Sequence, residues 1–253
     1  MRRVRVIPVL TIDKGKLVKT TNFKKPRYIG DPVNAVKIFN EKEVDEVVLL
    51  DITATKNKHA PDYSKIEEIC SEAFMPFAYG GGIQSMDQID KLFGLGIEKV
   101  ILNSALADDP SFVKEAVAKY GAQSIVASID VKKNVFGKSG VYIKSGQVKV
   151  SSSLESYVST ILELGIGELI LTSIDREGTY KGIDQELVKR VSTITSIPLV
   201  ANGGAFDLND FKNAIQSGAT AVAASSQFIY RGNTNGILIN YPTQEQLRSQ
   251  VFS

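Results

Sequence analysis

MPFAYGGGIQSMDQIDKLFGLGIEKVILNSA (residues 75–105) and IPLVANGGAFDLNDFKNAIQSGATAVAASSQ (residues 197–227) repeat one another at a constant offset of 122 residues. DEVVLLDITATK (45–56) and GELILTSIDREG (167–178) keep the same offset. Self-similarity over about half a chain means that one supersecondary block was used twice. Each block reads as a short apolar run, a glycine turn, an amphipathic stretch and a second apolar run. That is two strand–helix units.

Working outward, eight apolar runs alternate with helical patterns: VRVIPVL, EVVLLD, MPFAYGGG, KVILNSA, SIVASID, ELILTSID, IPLVANGG and AVAASS. Near-continuous apolar character predicts strands of a parallel sheet buried on both faces. Eight such units give an α/β (β/α)₈ TIM barrel in one domain, 1–253, with half-barrels at about 1–122 and 123–253. A doubly wound open sheet is the alternative, but it has no natural place for the repeat. Asp31-Pro32 and Ser85 read as helix starts, and Gly94 or Gly96 as a helix end. Residues 131–150, VKKNVFGKSGVYIKSGQVKV, alternate apolar residues with glycines and read as a small hairpin inserted after the fifth strand.

Composition limits the functions open to such a barrel. Thirty basic and 28 acidic side chains leave a net charge of +2, and no basic run is interleaved with aromatics, so nucleic acid is not an expected partner. The single Cys70 cannot form an internal disulfide, the amino terminus lacks the long apolar run of a secretory signal, and no stretch approaches the roughly 20 apolar residues of a membrane span. A cytoplasmic protein is expected, with no membrane association and no cofactor. His59 and Cys70 as the only soft ligands exclude a His/Cys zinc site; a weak carboxylate site for magnesium stays open.

In a barrel of this kind chemistry collects at the carboxyl ends of the strands. YGGGI (79–83) with NSA (103–105), and NGGAF (202–206) with SSQ (225–227), each combine glycines with polar residues at the next strand end. Glycine lets backbone N–H groups approach an anion, and adjacent hydroxyls or amides complete the cradle. A single glycine pair would more often be a tight turn. Two, related by the repeat, predict two cups on opposite sides of the mouth, gripping an elongated ligand with an anion at each end. Asp130, Asp51, Thr172, Asp175 and Glu177 close strands or follow them, as proton-transfer residues or as caps of the next helix. Lys19 and its basic neighbours read as a loop after strand one, either a lid over an anion or a solvated loop. Arg5, Glu46, Lys99 and Glu168 stand at strand starts, where charges entering a barrel must pair; a stability plug or a gate fits them.

LVKTTNF, GDPVNAVKIF, VVLLDITA, YGGGIQS, KVILNSA, LTSIDREGT and ANGGA together resemble the HisF-type cyclase subunit of imidazole glycerol phosphate synthase over nearly the whole chain. The resemblance implies a barrel that binds a bisphosphate-type ligand, a ribulosyl compound with a phosphate at each end. It implies a HisH-type glutaminase at the amino-terminal face, with ammonia passing through the barrel. It assigns Arg5, Glu46, Lys99 and Glu168 to the gate, and Gly82, Asn103 and Ser104 to one phosphate. Gly178, Gly204, Ser225 and Ser226 fall to the other, and Lys19 to a mobile-loop lysine. Asp130 matches one of two catalytic aspartates; the other falls at Thr11, in VIPVLTIDKG (6–15). A threonine hydroxyl has no pKa near neutrality and cannot serve as a carboxylate proton shuttle. Asp13, two residues on, would have to swing in to replace it.

GILINYPTQEQL (236–247) and KKPRYIGDPVNAVKIFNEKEVDE (24–46) resemble a paralogous branch encoded with surface-polysaccharide genes. There the barrel and glutaminase are thought to supply ammonia to a sugar amidotransferase that makes acetamidino sugars. Three alternatives remain: a genuine cyclase of histidine biosynthesis, a non-catalytic docking scaffold, and a phosphosugar isomerase. The last has no use for a charged ring at the barrel bottom.

Overall fold

A computed structural model of the chain describes residues 4–231 and 236–252. Three residues of the amino-terminal stretch, 1–3, thus lie outside the described part. Eight parallel strands close into a barrel: β1 Arg5–Asp13, β2 Val47–Asp51, β3 Phe77–Gly80, β4 Lys99–Leu102, β5 Ile125–Lys133, β6 Glu168–Ser173, β7 Leu199–Asn202 and β8 Ala221–Ala224. Each pairs with the next, and β8 returns to β1 with Arg5 opposite Ala221, which completes the ring and leaves no open edge. The fold is the expected (β/α)₈ barrel; an open doubly wound sheet is excluded by the β8–β1 pairing.

Alternation along the strands sorts side chains between two cores. Ile7, Val9, Val48, Ala78, Ile101, Val126, Ile170, Val200, Ala221 and Ala223 fill the barrel axis as one apolar cluster. Residues of opposite parity, such as Leu10, Leu49, Tyr79 and Ile129, pack outward against the helices. Helix Pro32–Glu41 begins where the Asp31 carboxylate accepts from the Val33 N–H, and helix Met86–Gly94 where Ser85 accepts from Gln88. These caps fix where each connection turns back along the barrel, so the strand ends, and the loops after them, form one face.

Two hairpins rise from that face. After β1 the chain turns at Lys14-Gly15 and again at Asn22-Phe23, all four residues at positive φ, giving antiparallel arms Lys16–Thr21 and Lys24–Gly30. After β5, arms Ser139–Ile143 and Val148–Lys149 form the second hairpin, with Tyr142 opposite Asp130. The segment around Lys19 is therefore strand, not the loop that the sequence suggested. Its turn signals, Asp-Lys-Gly-Lys and Thr-Asn-Phe-Lys, support two tight turns with a strand between them.

Candidate functional site

Register places the two halves of the mouth in correspondence. Thr11 lies opposite Leu50 on β2, and Asp130 opposite Thr172 on β6. Leu50 and Thr172 are equivalent in the repeat, so Thr11 and Asp130 occupy the same position in each half-barrel, on β1 and β5 across the ring. Both side chains are buried. The Thr11 hydroxyl donates to the Val18 carbonyl on the first hairpin. Its proton is therefore committed to local backbone.

Asp130 has no such neutralising partner. Asn103 donates to its Oδ2 at 3.3 Å and to the Ser128 carbonyl at 2.9 Å. Burial, with the nearby Glu177 charge adding to it, pushes the Asp130 carboxyl up to about 7. A group poised there can give or take a proton near neutrality. Stability follows with a definite sign. An Asp whose folded pKa is raised holds its proton more tightly when folded, so the penalty is absent in acid and grows as pH rises from about 4 to 7. Asp130→Asn should therefore stabilise the chain by on the order of 2–4 kcal/mol at pH 8 and by little at pH 4, from the shift at about 1.4 kcal/mol per unit; urea unfolding at the two pH values measures it.

Glu177 itself is buried and ion-paired with Lys19, which is 4 % exposed. The pair joins the first hairpin to the loop after β6. Asn22 completes the join: its N–H donates to the Glu177 carbonyl at 2.8 Å, and its amide to the carbonyls of Ile174 and Asp175 at 3.0 and 2.8 Å. Lys19 thus faces inward over the mouth.

The carboxy-terminal cup is a small cavity, about 10 Å³, lined by Glu177, Gly178, Tyr180, Gly204, Ser225 and Ser226, among others. Gly204 is at φ +100°, and a Cβ there would stand 2.4 Å from the Gly182 carbonyl, so this close approach requires glycine. The Ser225 hydroxyl is buried and has no hydrogen-bond partner among the described residues. The opposite cup is arranged differently. Ser104 Oγ accepts from the Lys144 N–H at 3.2 Å, which brings the turn of the second hairpin onto it, while the Asn103 amide has turned to Asp130. Gly82 closes against the His59 carbonyl, 2.7 Å from where a Cβ would stand.

Two carboxylates bind backbone, Asp51 at the start of the next helix and Asp175 at a strand end. Asp51 Oδ1 accepts from Thr53 N, Thr53 Oγ1 and Ala54 N at 2.8–2.9 Å, which ties down the loop after β2. Asp175 Oδ2 accepts from the Lys133 N–H at 2.6 Å and braces the root of the second hairpin. Thr172 accepts from the Asn202 amide at 3.1 Å, and Asn202 Oδ1 is buried with no partner among the described residues. Asn202 and Tyr180 were not singled out as site residues. Asn202 could have been, because it continues the inward parity of Val200 at a strand end where its repeat partner is Gly80. Asp13 Oδ1 is also buried and unpartnered.

At the other end of the axis, Arg5 contacts Glu46 and Glu168, and Lys99 Nζ lies 2.9 Å from each of the same two carboxylates. Two cations alternate with two anions in a closed ring. Burial opposes the charge on Glu168, but the hydrogen bond from Arg5 and the Lys99 charge outweigh it and hold the carboxyl below the usual range. Between ring and mouth, Ser128 and Leu50 are half-buried although both follow the inward parity of their strands. No group of three or more His, Cys, Asp or Glu among the described residues could hold a metal, and no described helix is long and apolar enough to cross a membrane.

Fold and site define a (β/α)₈ barrel with a glycine- and serine-lined cavity and buried carboxylates, Asp130 and Glu177, at the carboxyl ends of its strands, and a charged ring at the opposite end. Residues 5–235 match the family model of the histidine biosynthesis proteins, and the chain belongs to that family as a HisF-type member. It is 45% identical over 244 residues to a protein of Leptospira borgpetersenii provisionally named imidazole glycerol phosphate synthase subunit HisF, covering 96% of each chain. To the hisF2 protein of Pseudomonas aeruginosa, also provisionally named, it is 42% identical, covering 98% of this chain and 99% of that one. To the Endomicrobium trichonymphae imidazole glycerol phosphate synthase subunit HisF, identity is 38%, over 91% of this chain and 89% of that one.

Proposed function

We propose that this chain is the barrel subunit of a glutamine-dependent ammonia-transfer complex whose acceptor is not the histidine-pathway nucleotide. A HisH-type glutaminase docks at the amino-terminal face and releases ammonia against the Arg5–Glu46–Lys99–Glu168 ring. Once the ring parts, the axis beyond it is apolar, with small Ala78, Ala221 and Ala223 among its lining. Neutral ammonia crosses such a passage at small cost, whereas ammonium would lose several kcal/mol of hydration. Ammonia emerges at the mouth beside Asp130, where the carboxy-terminal cup holds one anionic end of a phosphorylated ligand. From there it passes to a sugar amidotransferase that forms an acetamidino sugar for surface polysaccharide.

The observation that carries this reading is Thr11. In the equivalent position to Asp130 stands a hydroxyl already donated to Val18, so no carboxylate occupies the place that the resemblance gives to the second acid–base group of ring closure. Relatives at 42–45% identity carry provisional names, hisF2 and hisF3 among them, whereas those at 36–39% are named HisF without that qualifier. The cyclase reading keeps one point in its favour, the raised Asp130, which suits an acid–base role.

The test combines the purified chain with a HisH-type glutaminase, glutamine, the ribulosyl nucleotide with a phosphate at each end and, in a parallel assay, high ammonium. The expected result is stimulated glutamine hydrolysis with imidazole glycerol phosphate formed at least about 100-fold below a two-aspartate cyclase, the smallest loss anticipated for a missing acid–base group. Adding the sugar amidotransferase then yields glutamine-dependent amidation. Full cyclase turnover that disappears in Asp130→Asn would overturn the reading.

A further inference from the structure

The two hairpins carry a charge distribution that the mouth beneath them does not use. Residues 14–30 contain six basic side chains and residues 131–150 contain five, and neither segment contains an acid. Lys19 is buried against Glu177, Lys133 and Lys144 pair with Asp184 and Asp108, and Arg27 lies over the Tyr230 ring. Lys14, Lys16, Lys24, Lys25, Arg27 and Lys138 are exposed, and among the described residues none of them makes a salt bridge.

These cations stand outside a roofed mouth. The first hairpin is clamped across it by Lys19–Glu177 and Asn22. The second reaches Ser104 through Lys144 and the Ile52 carbonyl through the Ser145 hydroxyl at 3.2 Å. The tips approach each other at Gly146, where a Cβ would stand 3.3 Å from Phe23 and 3.1 Å from Ile174. None of these exposed cations lines the carboxy-terminal cavity. The hairpins also expose Val135 (94 %), Phe136 (90 %) and Tyr28 (60 %), and apolar side chains offer nothing to a phosphate. A basic rim around exposed aromatic and aliphatic anchors is the composition of a protein-binding surface.

We infer that the outer faces of the two hairpins are the docking surface for the ammonia-accepting enzyme, which presents an acidic patch with an apolar centre. The inference rests on the ammonia-transfer reading above and adds where the acceptor sits: over the exit, so that ammonia passes between proteins without entering water. Charge complementarity selects the partner, and Phe136 and Tyr28 anchor it.

The experiment reconstitutes the chain with its glutaminase and the sugar amidotransferase and compares wild type with Lys24→Glu/Lys25→Glu/Arg27→Glu and with Val135→Ser/Phe136→Ser. Both variants alter solvent-exposed positions and should fold. The expected result is at least a tenfold loss of glutamine-driven amidation, with glutaminase stimulation and ammonium-driven amidation unchanged. Raised salt should weaken wild-type transfer in the same way. Unchanged glutamine-driven transfer in both variants would overturn the docking surface alone. If the wild type transfers nothing from glutamine while the amidotransferase works on ammonium, the ammonia-transfer reading fails and this inference with it. Binding of wild type to vesicles of phosphatidylglycerol and phosphatidylcholine in equal parts, abolished in both variants while transfer is kept, would assign the surface to a membrane instead.

Discussion

Thr11→Asp should raise ammonium-dependent formation of imidazole glycerol phosphate by roughly 10²-fold or more, the worth of a positioned acid–base group. The barrel already supplies the rest of that pair: Asp130 at the equivalent position, raised to about 7, and the cavity lined by Gly178, Gly204 and Ser225. An ionised carboxylate at position 11 cannot donate to the Val18 carbonyl as the threonine does, so it must turn away from it toward the axis. There it meets Asp130 and Glu177 in a buried space whose nearest cation, Lys19, is already paired. Like charges raise the proton affinity of the group, so the gain should be largest near neutral pH and accompanied by a pH–rate profile with two apparent pKa values. Thr11→Asn, which fills the same space without a proton to exchange, should gain nothing. If Thr11→Asp also stays at the wild-type rate while the ribulosyl compound is shown by calorimetry to bind, the missing carboxylate is not what separates this chain from a cyclase.

The second large effect is at the opposite end of the axis. Glu168→Gln leaves Arg5 and Lys99 sharing Glu46 alone, in a site where both carboxylates are nearly buried. Breaking one member out of a buried ionic cluster costs about 3–5 kcal/mol, because the remaining charges keep their desolvation penalty without full compensation. For a chain of this size that is a fall in melting temperature of about 6–12 °C or more. The pH dependence has a fixed sign. Glu168 is depressed below its ordinary value of 4.5, so its contribution is complete above that pH and is lost as pH falls through the folded value. The difference between wild type and Glu168→Gln should therefore be full at pH 7 and shrink below about pH 4.5. In the complex, the variant should also uncouple glutamine hydrolysis from amidation. A variant with unchanged melting temperature would show that the ring is not a compensated cluster.

Both predictions concern residues whose place in the barrel could be read before any coordinates. The offset of 122 residues pointed to two equivalent halves, and the bounds of the apolar runs put Arg5, Glu46, Lys99 and Glu168 at strand starts and Thr11 and Asp130 at strand ends. What each side chain bonds to was not legible. Lys19 finds Glu177 across 158 residues because barrel closure brings β6 beside β5 and the first hairpin folds over both. Asp51 Oδ1 binds its own loop, since Thr53 and Ala54 offer three donors within three residues.

The sequence by itself determined the eight strands, their pairing into a repeated barrel, the glycine cups and the absence of a carboxylate at position 11. These follow from local patterns, namely apolar parity, turn residues and a repeat, which are properties of contiguous stretches. Only the tertiary structure decided that Thr11 spends its hydroxyl on Val18, that Asp130 is pushed toward neutrality by burial and by Glu177, and that the hairpins roof the mouth with their cations outward. Those depend on which distant groups share a desolvated volume, and closure of the ring alone fixes that.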